Sequence, residues 1–146
     1  MATLSNPRDL QLQQLSELLW VERMLAFEAM PRMIDEVRNG ELRVALSEHL
    51  EQTRYHAARV EQAIRDAGAE PLSLRSGALA GLLEQHEAAN VTDPGLRDLH
   101  HVCGAIRVEH LELGLYDALG LLDDNRKEEE AALQRLGGIR DRLAAV

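Results

Sequence analysis

Helix punctuation set around unbroken three- and four-residue apolar spacing constrains this chain more than any other feature. Asn6-Pro7 reads as an N-cap and first helical position, with Asp9 in the first turn, where a carboxylate favours the helix dipole. From there Leu12, Leu15, Leu18/Leu19, Glu22, Leu25/Ala26, Ala29/Met30 and Met33 share one stripe, up to a C-terminal stop at Asn39-Gly40. Pro31 falls inside the pattern, removes one backbone donor and predicts a kink. A second stripe follows at once, with Leu42, Leu46, His49, Thr53, His56/Ala57, Val60 and Ile64 on one face before Gly68. With so short a turn between them, the two helices must be antiparallel neighbours.

Thr92-Asp93-Pro94 repeats the cap-then-proline signal and opens a third helix through Leu99, Val102, Ile106, Glu109, Glu112, Leu115/Tyr116 and Leu119 to Gly120. Asp123 or Asp124 is the expected cap of a fourth helix, which Gly137-Gly138 should break near its end. Between the hairpins, residues 69–91 hold Pro71, Ser73, Ser76 and one short periodic stretch from Ala78 to Leu83, which reads as a connector carrying a short helix. Two tight hairpins joined by so long a connector predict an all-α four-helix bundle with one long crossover between helices 2 and 3, the topology of ferritin-like folds. The expected domain organisation is a single domain over residues 1–146. A chain that is 45% apolar yet holds only four aromatic residues fits helices better than a β fold. Trp20, Met24, Phe27, Met30 and Met33 give the first helix more apolar surface than one inward stripe uses, and the surplus is the expected face of a homodimer.

Charge excludes some partners. Against 16 basic side chains stand 25 acidic ones, and a net charge of −9 repels phosphate backbones and anionic lipid heads, so no nucleic acid and no membrane is expected as partner. Cys103 is the single cysteine, is read as a small core residue, and gives no sign of an oxidising compartment. The N-terminal MATLSNPRDL lacks the apolar core of a signal peptide, and no run reaches the roughly 18 apolar residues of a membrane span, so a cytoplasmic protein is expected. There is no phosphate-binding glycine loop and no Ser-His-Asp arrangement to support hydrolase or kinase chemistry. His86, His100, His101 and His110 fall on different faces and read as surface histidines.

The informative residues are polar ones on apolar stripes, where charge is costly unless paired, protonated or ligated. With the first turn centred between Asn39 and Gly40, Glu22 is level with residue 57, one position from His56. With the second turn centred near Leu121, Glu112 is level with residue 130, one position from Glu129. His49 lies seven residues before His56, about 10 Å along the axis, and reads as a satisfied buried histidine outside that set. A carboxylate-bridged two-metal site in a helical bundle takes one Glu from each of two helices and a Glu-x-x-His from each of the other two. This chain offers Glu22, then Glu109 or Glu112, but Thr53-x-x-His56 and Glu129-x-x-Ala132, leaving four or five donors, which favours a weaker or single-metal site.

The stretches LSELLWVERMLAFEAMPRM, LSEHLEQTRYHAARVEQAI and VEHLELGLYDAL, with HLEQT and VEHLE the most specific, resemble the YciE/YciF-type ferritin-like family of bacterial stress-associated proteins. The likeness extends over nearly the whole chain, including RKEEEAALQRL at the start of the last helix. It implies a ferritin-like bundle, often dimeric, with a rubrerythrin-like metal position falling here on Glu22, His56, Glu109, Glu112 and Glu129. Iron or manganese is the implied cofactor, and an oxidase or peroxide-handling activity the implied chemistry. The alternative is a metal-free helical scaffold or interaction protein whose inward carboxylates are relics, as Thr53 and Ala132 would suggest.

Overall fold

Helix α1 (Pro7–Met24) begins where its cap requires, the Asn6 side chain accepting the Asp9 backbone N–H at 2.9 Å. The computed structural model describes residues 3–145, so Met1 and Ala2 of the N-terminal stretch considered above, with Val146, lie outside the described residues. After α1 the same rod continues through a π-helical turn, Leu25–Ala29, into α2 (Met30–Glu36). Where Pro31 predicts a kink, the helix instead takes this π-helical turn just before the proline. A proline ring clashes with the carbonyl four residues back, and widening the helix by one residue relieves the clash, with the Met30 N–H bonding the Leu25 carbonyl.

The stop expected at Asn39-Gly40 is corrected. α2 ends at Glu36, and Asn39 instead caps α3 (Gly40–Asp66) by accepting the Leu42 N–H at 2.9 Å. Buried Asp98 closes the turn by accepting the N–H groups of Arg38 at 3.0 Å and Asn39 at 2.8 Å. The crossover carries α4 (Gly77–Glu87), capped by Ser76. α5 (Pro94–Leu119) is capped by Asp93 and ends on left-handed Gly120. α6 (Asp123–Ala144) has no side-chain cap, contrary to expectation: the residue before it, Leu122, is left-handed at φ 63°, and Asp123 is already helical. Gly137-Gly138 does not break α6, because Leu136 and Ile139 on either side are locked into the core.

No strand occurs among the described residues, and the fold is the all-α bundle with a short helix in its long crossover. Ile64, Leu18 and Tyr116 pack one end, and Leu46, Val102 and Ile139 the other. α3 and α5 therefore run in the same direction between the ends, which is why a long connection must join them. The site residues lie between these two apolar layers. Beneath α4 a third group joins Leu79 to Val21, Leu25 and Val108, with Trp20 and Met24 against it. Most of the apolar surplus of the first rod is thus covered within the chain, whereas Phe27 stays 67% exposed. Cys103 packs against the second layer. No helix among the described residues is long and apolar enough to cross a membrane.

Candidate metal centre

Four helices each bring acidic or imidazole side chains to the middle of the bundle, and each does so from an otherwise apolar stripe. Glu22 comes from α1, His49 and His56 from α3, Glu109 and Glu112 from α5 and Glu129 from α6; all six are buried. The levels read from the first turn hold, with His56 Nδ1 3.8 Å from Glu22 Oε1. Glu129 is the hub: its Oε1 is 2.7 Å from His56 Nδ1 and its Oε2 is 3.2 Å from His49 Nε2. His49 Nε2 also lies 2.8 Å from Glu109 Oε1.

The reading of His49 as an outsider is therefore corrected. Its Cα is two turns from that of His56, but the ring centroids are 6.4 Å apart, because both rings reach for opposite oxygens of one carboxylate. The spacing of seven residues, which keeps two side chains on one face, was the signal for it. The residues form two adjoining groups whose donor atoms lie within 4.8 Å of one another: Glu22, His56 and Glu129 in one, and His49, Glu109, Glu112 and Glu129 in the other. Glu109 and Glu112 both enter, where the sequence left a choice between them. Six donors result, four carboxylates and two imidazoles, in place of the four or five counted from the sequence.

Two template positions are spent elsewhere. The Thr53 hydroxyl donates to the His49 carbonyl oxygen at 2.8 Å. Ala132 lines a cavity of about 130 Å³ beside His49.

The outward nitrogens of both rings are also occupied. His49 Nδ1 is 3.1 Å from Gln52 Oε1, and His56 Nε2 is 2.9 Å from Glu128 Oε2. Glu128 is thus a half-buried support that also pairs with Arg59 at 3.2 Å. An acceptor on the outer nitrogen fixes the tautomer and turns the inner nitrogen into a lone-pair donor, the arrangement metal-binding histidines use. Glu22 is held in turn by the Tyr116 hydroxyl, which donates to its Oε1 at 2.7 Å and accepts from the Asn125 side-chain amide at 3.0 Å.

The protonation balance of the cluster is lopsided. Burial, with the charge of Glu129 added, pushes Glu22 from its ordinary 4.5 up to about 7. Burial and the same neighbour raise Glu109 and Glu112 well above the carboxylate range. Burial would also raise Glu129, but the close approach of Glu109, His49 and His56 outweighs it and holds that carboxyl far below the usual range. For His49 and His56 burial opposes protonation, and the surrounding carboxylates outweigh it, so both basicities rise. Even so, Glu22 Oε2, Glu109 Oε2, Glu129 Oε2 and both oxygens of Glu112 are buried without a hydrogen-bond donor. Leaving a buried acceptor unmatched costs about 1–3 kcal/mol, and a set of four such carboxylates fits a site built for cations. The cluster can hold a metal ion.

Comparison with known proteins follows the same lines. A family model described as a domain of unknown function (DUF892) matches residues 6–135. The E. coli stress protein YciF superposes with a TM-score of 0.89, over 97% of this chain and 99% of that one, at 22% identity. YcfI, described as a putative structural protein from Rhodopseudomonas palustris, gives a TM-score of 0.70 over 97% of this chain and 95% of that one, at 25% identity. No curated protein matches the chain.

Proposed function

The chain belongs to the DUF892 family, and we propose that its buried carboxylate–imidazole cluster binds iron or manganese in a stress-associated oxidase or peroxide-handling role. One observation carries the reading: both imidazoles are held from outside, by Gln52 and Glu128, and turn their inner nitrogens toward the two oxygens of Glu129. Carboxylates suit hard cations and imidazoles add affinity for later ones, which favours iron or manganese over calcium or magnesium. Two divalent ions would balance the four carboxylates and leave both histidines neutral. Such ions supply one-electron redox chemistry toward dioxygen or peroxide.

The residues around the cluster have separable tasks. Tyr116 and Asn125 orient Glu22, Glu128 and Gln52 fix the rings, and the apolar layers above and below exclude water. In the metal-free chain Glu22, raised to about 7, holds its proton below neutrality and would give it up when an ion enters. The stress association rests on the resemblance to the YciE/YciF-type family and on the described role of YciF.

The test is metal content per chain after anaerobic reconstitution with Fe(II) or Mn(II). One or two equivalents, lost in Glu112→Gln, support the reading; near zero in the folded wild type overturns it. The rival is a metal-free scaffold, favoured by Thr53 and Ala132 at donor positions and by the putative structural role printed for YcfI. Thermal melting separates the two, because an ion that binds only the folded chain must raise the midpoint.

A further inference from the structure

A second group of histidines meets beneath the crossover, built from α2, α4 and α5 and sharing no residue with the carboxylate cluster. The sequence placed His86, His100 and His101 on different faces; the packing of α4 across α5 brings them together, and His110 alone remains exposed. The rings of His86 and His100 stack at 3.9 Å and 4°, and His100 Nε2 lies 3.0 Å from the His86 carbonyl oxygen. A Cβ on Gly104 would stand 2.5 Å from His86 Nδ1, so only a glycine lets this ring lie against α5. His86 Nε2 then faces His101 Nδ1 at 3.0 Å.

His101 is 6% exposed. Its Nε2 makes no hydrogen bond, although Glu36 Oε2 stands 2.9 Å away, off the line of an N–H. The three histidines and Glu36 line a cavity of about 230 Å³.

We propose that His86 Nε2 and His101 Nδ1 form a second metal site, for an imidazole-preferring divalent ion such as Zn²⁺, Ni²⁺ or Cu²⁺, with water from the adjoining cavity completing the shell. Two nitrogens bound to one tetrahedral ion at about 2.0–2.1 Å stand about 3.3 Å apart, close to the separation found here. Glu36, 2.9 Å behind His101 Nε2, is a carboxylate within reach of the far nitrogen, where a small turn of the ring on binding would bring the N–H onto it and leave Nδ1 free. The proton now between the two facing nitrogens passes to His86 Nδ1 on binding, so the ring stays neutral and no other acceptor is needed. Burial first, and then the neighbouring His100 and His101, lower His86 to about 4, and burial lowers His101 as well, so both rings are in the unprotonated form that metals bind. No carboxylate faces the ion directly, which separates this site in metal preference from the central cluster.

The test is a Zn²⁺ titration at pH 7.5 of the full chain labelled with ¹⁵N at histidine, followed by long-range ¹H–¹⁵N spectra. The expected result is that His86 Nε2 and His101 Nδ1 shift together to the metal-bound range with about one equivalent, while His49 and His56 report the central cluster separately. Movement of His49 and His56 alone overturns the proposal. In the same buffer His86→Gln should bind one Zn²⁺ fewer and take up Mn²⁺ unchanged; undiminished zinc content overturns it. Should that variant fail to fold, the wild-type spectra decide by themselves.

Discussion

Replacing Glu22 with glutamine should stabilise the metal-free protein and weaken its response to metal, two effects of opposite sign from one substitution. Glu22 is fully buried, and Gln keeps both its size and the oxygen that accepts the Tyr116 hydroxyl. What is lost is the charge. Raising this carboxyl from 4.5 to about 7 corresponds to about 3 kcal/mol of stability withheld from the folded chain once the pH exceeds the upper value. The sign follows from linkage: a raised pKa favours folding below the unfolded value and the benefit is lost as pH rises through the folded one. Burying an amide instead recovers part of the penalty, so the expected net gain is about 2 kcal/mol at pH 8, or roughly 4–8 °C in midpoint for a chain of this size. At pH 5 the wild-type carboxyl is already protonated when folded, and the gain should nearly vanish. Urea and thermal unfolding of chelator-treated protein at both pH values, followed by circular dichroism with and without Mn(II), measure all of this. A variant no more stable at pH 8, or equally stabilised at pH 5, would refute the burial argument; an undiminished Mn(II) shift would remove Glu22 from the donor set.

The metal-free wild type should lose stability most clearly from pH 6.5 to pH 8, where the raised pKa values of Glu22, Glu109, Glu112, His49 and His56 act together, whereas below pH 6.5 the lowered values of His86 and His101 act against them; a urea midpoint that does not fall from pH 6.5 to pH 8 would contradict this. Asp98→Ala strips two backbone N–H groups of their acceptor and should cost about 2 kcal/mol, read as a lower urea midpoint with an unchanged slope. Ala132→Leu fills the cavity beside His49 and should slow Mn(II) uptake several-fold in stopped-flow mixing without changing the final metal content. The homodimer remains a proposal, now centred on exposed Phe27; Phe27→Glu should give a monomer by sedimentation, and an unaltered dimer would place the contact elsewhere.

Tight turns made much of this molecule legible from its sequence. Where few residues join two helices, their levels follow by counting, so the sequence alone pairs Glu22 with His56. Counting does not cross the long connector, so the height of α3 against α5 and α6 stayed open. That is why Glu109 and Glu112 stay alternatives in the sequence, whereas His49 is hidden by its axial distance of seven residues from His56, which the two side chains close by reaching toward Glu129. The end of α2 was misplaced because asparagine serves both to stop and to start a helix, and the acceptor that settles the matter, Asp98, is 59 residues from Asn39 in the chain. The start of α6 escaped for a different reason: leucine at a left-handed φ is a conformation that no propensity favours. His86 joined His101 only through the lie of α4, which periodicity cannot supply.

The four long rods do not share the centre evenly. α6 contributes one carboxylate, yet that carboxylate answers to both imidazoles, one oxygen each. Whatever displaces α6 disturbs both donor groups in the same motion, and the link that leads into α6 is three residues long, with left-handed Gly120 at one end and left-handed Leu122 at the other. An inserted residue there, by turning and shifting the start of α6, should move Glu129 away from His49 and His56 together.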